Sequence, residues 1–174
     1  MLSSQPEEIK SYRCVLVGDE SVGKTAFVTL HRTGICLESY YTTIGVALYP
    51  LCFTTSKGTY KFDVWDTAGS EEFRGSKESR YRGVQCALIM FDVTRPQTYT
   101  SVLNWYDEII RMCGHIPMVL VGNKTDVEDE KRMVKPESID LPRQLGLHYY
   151  EVSNKSNLHI IQPFLQLIKE LDVK

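Results

Sequence analysis

No apolar run in this 174-residue chain approaches the roughly 18 residues that a membrane-spanning helix needs, so none is predicted. An excess of one charge is missing too. Twenty Lys and Arg stand against 22 Asp and Glu, leaving a net charge of −2 and no global pull toward nucleic acid or anionic membrane. The five cysteines, at 14, 36, 52, 86 and 113, never show C-x-x-C spacing, which argues against a zinc site or a redox pair. Cys14 and Cys86 sit in apolar runs and read as core thiols. This usage fits a reducing, intracellular compartment, and the cytoplasm is expected. The opening Met1-Leu2-Ser3-Ser4-Gln5-Pro6-Glu7-Glu8 is polar and acidic, unlike a secretory signal. The four histidines lack metal-ligand spacing, and no repeat or low-complexity stretch occurs. What remains is a chain with 43% hydrophobic residues, enough for a core. Its length predicts one domain over residues 11–174, after a flexible tail at 1–10.

Strand-like runs alternate with amphipathic ones. Strands are expected at Tyr12–Val17, Val46–Thr54, Thr59–Trp65, Ala87–Asp92, Met118–Gly122 and His148–Val152, with Ser56-Lys57-Gly58 as a hairpin turn. Helices are expected at Lys24–His31, Glu71–Tyr81, Val102–Cys113, Pro136–Leu145 and Leu158–Leu171. In the last, Leu158, Ile161, Phe164, Leu165 and Ile168 share one face, predicted to meet the core. The alternation implies an α/β fold, a mostly parallel sheet covered on both faces, with the hairpin adding one antiparallel strand. Ligands of such sheets bind beyond the carboxyl ends of the strands.

Three motifs sit at such ends. Gly18-Asp19-Glu20-Ser21-Val22-Gly23-Lys24-Thr25 matches G-x-x-x-x-G-K-[ST], after the strand Cys14-Val15-Leu16-Val17 and before the helix-compatible run Ala26-Phe27-Val28-Thr29-Leu30. Its backbone amides would cradle phosphate, Lys24 would reach the β- and γ-phosphates, and Thr25 would bind Mg²⁺. Asp66-Thr67-Ala68-Gly69 supplies an acid that can hold Mg²⁺ through water, and a Gly69 amide that can approach the γ-phosphate. Asn123-Lys124-Thr125-Asp126 ends in a carboxylate able to accept two hydrogen bonds from guanine. Adenine presents a mismatched edge and would leave Asp126 unpaired, which disfavours an ATP-using kinase.

Ser153-Asn154-Lys155 is similar to the guanine-supporting S-A-K loop of small GTPases, with Asn154 where alanine is usual. With these four motifs in order, residues 11–171 resemble a Ras-superfamily small GTPase. Cys86 through Thr94 and Lys155-Ser156-Asn157 are similar to the Ran branch; Glu38-Ser39-Tyr40, Thr43-Ile44-Gly45-Val46 and Tyr81-Arg82-Gly83 look like the Rab branch. The resemblance implies a three-layer P-loop G domain with a six-stranded sheet, and a GTP hydrolase switching between GDP and GTP states. It implies a monomer with an intracellular-transport role, associating with the nucleus or a membrane periphery. It makes residues 37–46 and 67–80 the switches, contacted by exchange factors, GTPase-activating proteins and effectors, and Thr43 a ligand of Mg²⁺ in the GTP state.

The chain departs from that pattern at several points. Ser70 stands where the family places the glutamine that orients the attacking water, and it is too short for that task. Glu20 puts a carboxylate in the phosphate loop where a small residue is usual. Both changes predict slow hydrolysis; a scaffold that binds nucleotide without turnover is the rival. Cys36 takes the place of the aromatic that stacks on guanine, which predicts looser binding and faster exchange, with Tyr40 or Tyr41 as possible substitutes. The segment 141–145 lacks Ran's basic cluster, and no cysteine near Lys174 offers Rab's prenyl anchor, so no direct membrane anchor is expected. Trp65, beside the switches, is a candidate partner contact, Trp105 is assigned to packing, and residues 128–132 to a solvated loop.

Overall fold

The computed structural model describes residues 7–31, 42–43, 46–67 and 77–173; for 42–43 and 46–47 this covers the backbone alone. All strands join one sheet. β1 (Lys10–Val17) lies at its centre, parallel to β4 (Gly58–Asp66) on one side and β5 (Cys86–Asp92) on the other. β6 (Met118–Asn123) and β7 (His148–Glu151) extend it in parallel beyond β5. β3 (Val46–Thr55) pairs antiparallel with β4 through the turn at Ser56-Lys57. These six are the expected strands. A two-residue strand, β2 (Thr42–Thr43), adds itself antiparallel to the β3 edge, giving the order β2-β3-β4-β1-β5-β6-β7. Lys10, assigned to the tail, opens β1 opposite Tyr60.

The central strands are buried on both faces, which is why they read as continuous apolar runs. Alternation along β1 sends Cys14 and Leu16 to one core and Val15 and Val17 to the other. The first core is covered by α1 (Lys24–Leu30) and α6 (Gln162–Leu171), through Phe27, Val28, Phe164, Leu167 and Leu171. Within it Phe164 stacks on Phe27 and Phe53 at centroid distances of 5.8 and 4.8 Å, and His31 meets both Phe27 and Phe164 edge-on at 5.2 Å. The second core is covered by α2 (Lys77–Tyr81) and α4 (Val102–Cys113), through Tyr81, Val102 and Ile109.

Two helix assignments need correction, and one helix is additional. Pro136–Leu145 is not continuous. A 3₁₀ turn (Pro136–Ser138) ends at an extended Ile139, and α5 (Leu141–Leu145) restarts with Pro142 in its first turn. Proline disfavours a helix running into it and suits a helix start. The final helix begins at Gln162, four residues later than Leu158, because Asn157 and His159 both take positive φ, 56° and 53°. Leu158 and Ile161 are exposed and outside the core face assigned to them. A short α3 (Pro96–Thr100) was not anticipated; Pro96 opens it, and the buried Thr98 closes back on Asp92. Of the helix expected at Glu71–Tyr81, residues 71–76 lie outside the described residues.

Candidate functional site

The loop 18–23 runs from the end of β1 to the start of α1, beyond the carboxyl edge of the sheet. Every carbonyl in it is accounted for. Lys24 Nζ donates to the Gly18 and Asp19 carbonyls at 2.6 and 2.8 Å. Arg95 Nη2 donates to Glu20 O at 2.6 Å and Lys124 Nζ to Ser21 O at 3.0 Å. Asn123 Nδ2 donates to Val22 O at 2.9 Å, and Asn154 Nδ2 to Gly23 O at 3.0 Å. The amides of residues 20–24 donate no hydrogen bond among the described residues. With acceptors turned outward and donors left over, the loop is a nest for an anion.

Glycine is required at two of its positions. Gly18 takes φ +149°, and a Cβ there would lie 2.2 Å from the Met90 carbonyl. Gly23 takes φ +105°, and a Cβ would lie 2.3 Å from Asn123 Nδ2 and 2.9 Å from Asn154 Nδ2. Ser21 and Lys124, which meet through the bond from Lys124 Nζ, also take positive φ, 60° and 67°, a conformation that costs a non-glycine residue free energy.

Lys24 is 4% exposed. Burial lowers the pKa of its ammonium below the ordinary lysine value, opposed by the carboxylates of Asp66, Asp19 and Glu20. It forms no ion pair with a carboxylate among the described residues. A buried cation held by neutral carbonyls, beside free amides, fits a phosphate group. Thr25 Oγ1 donates to Asp66 Oδ2 at 2.6 Å, so the end of β4 and the start of α1 set a hydroxyl against a carboxylate. That pair is an all-oxygen donor set of the kind Mg²⁺ takes together with phosphate oxygens. No cluster of three or more His, Cys, Asp or Glu side chains that could hold a metal occurs among the described residues.

Beside the loop lies a pocket of about 470 Å³, lined by Ser21, Gly23, Ala26, Asn123, Lys124, Asp126, Val127, Asn154 and Lys155. Asp126 is solvent-exposed there, and its Oδ1 accepts from the buried Ser153 hydroxyl at 2.7 Å. That contact orients the carboxylate and leaves its other oxygen for a ligand. Asn154 Oδ1 is buried with no partner among the described residues, an unmet acceptor at the pocket wall. The walls are braced from behind. Thr125 Oγ1 donates to Val152 O at 2.9 Å, and Arg132 bridges to the Glu151 carboxylate. Arg132 is therefore a correction to the solvated-loop assignment: it is 9% exposed and its Nε caps the Val134 carbonyl.

The structure thus gathers Gly18 to Ala26, Asp66, Asn123, Lys124, Asp126, Ser153, Asn154 and Lys155 at one edge. Cys36, Gly69 and Ser70 lie outside the described residues, and of Thr43 only the backbone in β2 is described. Three contributors were missed. Asp92, fully buried at the end of β5, accepts from Lys124 Nζ at 2.9 Å and Arg95 Nε at 3.1 Å, and so aims both cations at the loop. Its place at a central strand's carboxyl end was the available signal. Arg95 and Trp105 are the other two. Trp105 does more than pack: its Nε1 donates to Asp19 Oδ1 at 3.0 Å, and no local pattern announces a contact between residues so far apart.

No helix among the described residues is long and apolar enough to cross a membrane. A family model described as the Ras family matches residues 13–173, which include every element of this site. The chain belongs to the Ras family.

Proposed function

We propose that this chain is a guanine-nucleotide-dependent switch that hydrolyses GTP slowly. The observation that carries the reading is the phosphate loop itself: six carbonyls tied by side chains, amides left over, and a buried Lys24 at its end. Lys24 and the loop amides would hold the phosphates, with Thr25, Asp66 and, in the GTP state, Thr43 organising Mg²⁺. The metal would supply neutralisation of phosphate charge. Asp126, held by Ser153, would accept from the guanine edge, and Asn123, Lys124, Asn154 and Lys155 would complete the base site. Glu20 and Ser70 support slow turnover, and Cys36 supports loosened base binding. Partners would be exchange factors, activating proteins and effectors reading residues 37–46 and 67–80, in a Ran- or Rab-like transport role inside the cell.

The test is calorimetric titration of nucleotide-free protein with GDP and ADP in the presence of Mg²⁺. Preference for GDP by at least about a hundredfold is expected, since a charge-assisted pair of hydrogen bonds separates the two bases. Equal uptake of both, or of neither, overturns the reading. The second reading, a scaffold that binds nucleotide without turning it over, is kept by Ser70 and Glu20. Single-turnover hydrolysis with an activating protein separates the two.

A further inference from the structure

We infer that Trp105 and Arg95 are positioning residues that hold the first half of the phosphate loop from outside and thereby set how long a guanine nucleotide stays bound. The inference rests on the function proposed above and adds to it a control that lies off the nucleotide. The second half of the loop is tied by Lys124, Asn123 and Asn154, all from the base-site motifs. The first half has no such ties. Within the loop's own motif, Asp19 is held only by Lys24, whose ammonium is shared with Gly18 and is the group expected to turn to phosphate. Glu20 is exposed, and the backbone at Ser21 is strained. The missing restraint comes from the β5–α4 edge: the Trp105 indole on the Asp19 carboxylate and the Arg95 guanidinium on the Glu20 carbonyl.

Both donors are themselves fixed. Arg95 Nε is pinned to Asp92, whose side chain is fully buried and also bonded to Thr94 at 2.6 Å through Oγ1 and 2.8 Å through the amide. Trp105 rides on α4, which is anchored one turn later by Glu108; that carboxylate accepts from Tyr81 Oη at 2.7 Å and Lys77 Nζ at 2.8 Å. A donor that is already immobile loses little freedom when it bonds, so each contact is well suited to restrain the loop.

The test is the rate at which a fluorescent GDP leaves the protein when chased with excess GDP in Mg²⁺. W105F keeps a ring and removes the N–H; R95M keeps the stem and removes the donors. Each is expected to speed release about tenfold, as loss of one charge-assisted or guanidinium hydrogen bond would. D19A is expected to match W105F, and D19A/W105F to be no faster than either alone. A purely structural role would lower the melting temperature of W105F and leave release unchanged. Release from W105F and R95M within twofold of the unaltered protein, or fully additive effects of D19A and W105F, overturns the inference. Should W105F not fold, D19A and R95M, both altered at solvent-reaching positions, decide it by the same criterion. Failure of the unaltered chain to take up GDP overturns the proposed function and this inference together; uptake with unaltered release rates overturns this inference alone.

Discussion

Asp92 Oδ2 lies 2.9 Å from Lys124 Nζ, and the same ammonium reaches the Ser21 carbonyl, so a buried acid on β5 places a base-motif lysine against the phosphate loop. Burial pushes the Asp92 carboxyl upward, but hydrogen bonds from Thr94, Lys124 and Arg95 outweigh it and hold the group below its ordinary range. Its contribution is present above the unfolded value near 3.9 and is lost as pH falls through the lower folded value. Asp92→Asn should cost about 2 kcal/mol in urea unfolding at neutral pH, less than a fully buried pair because both cations reach solvent. Below about pH 4 the difference from the unaltered protein should shrink.

His31 predicts a different pH window. Burial in the phenylalanine cluster lowers its pKa to about 4, opposed by a hydrogen bond with the Ile160 backbone, and its Nε2 has no partner among the described residues. The folded protein keeps the ring neutral where the unfolded chain protonates it. Stability is therefore complete above about pH 6.5 and declines as pH falls toward 4, by about 2 kcal/mol between pH 7.5 and pH 5. His31→Phe should abolish that slope in urea unfolding across the window. An unchanged slope would show that other groups carry it.

Ser70→Gln should restore a side chain long enough to orient water. Single-turnover GTP hydrolysis should rise by at least about tenfold, which is about 1.4 kcal/mol off the barrier. No gain removes Ser70 as a reason to expect slow turnover and leaves Glu20 as the candidate.

On the proposed base site, Cys36→Phe should supply an aromatic ring that can stack on guanine. A gain of about 1–3 kcal/mol corresponds to GDP release slower by ten- to a hundredfold. If release keeps its rate, another group, Tyr40 or Tyr41, already covers the base.

Local pattern sufficed wherever one residue type does one job. Gly18 and Gly23 are forced by positive φ and close approach, the central strands by burial on both faces, and α4 by its apolar stripe, which fixes its bounds at Val102–Cys113 as expected. What stayed hidden depends on long-range contact. Arg132 looks solvated amid Glu128 to Lys131, and only β7 reveals its partner Glu151. Leu158 and Ile161 keep helical spacing, yet positive φ at Asn157 and His159 keeps them out of the helix. Trp105 was assigned to packing because nothing near it in the chain mentions Asp19.

The outward ties on the phosphate loop have a temporal consequence. They come from positions 95, 105, 123, 124 and 154, so the loop at 18–23 is fully restrained only once the chain through residue 154 has been made and folded against it. A nascent chain halted before residue 154 would carry the complete phosphate motif and lack the Asn154 bond that holds the Gly23 carbonyl.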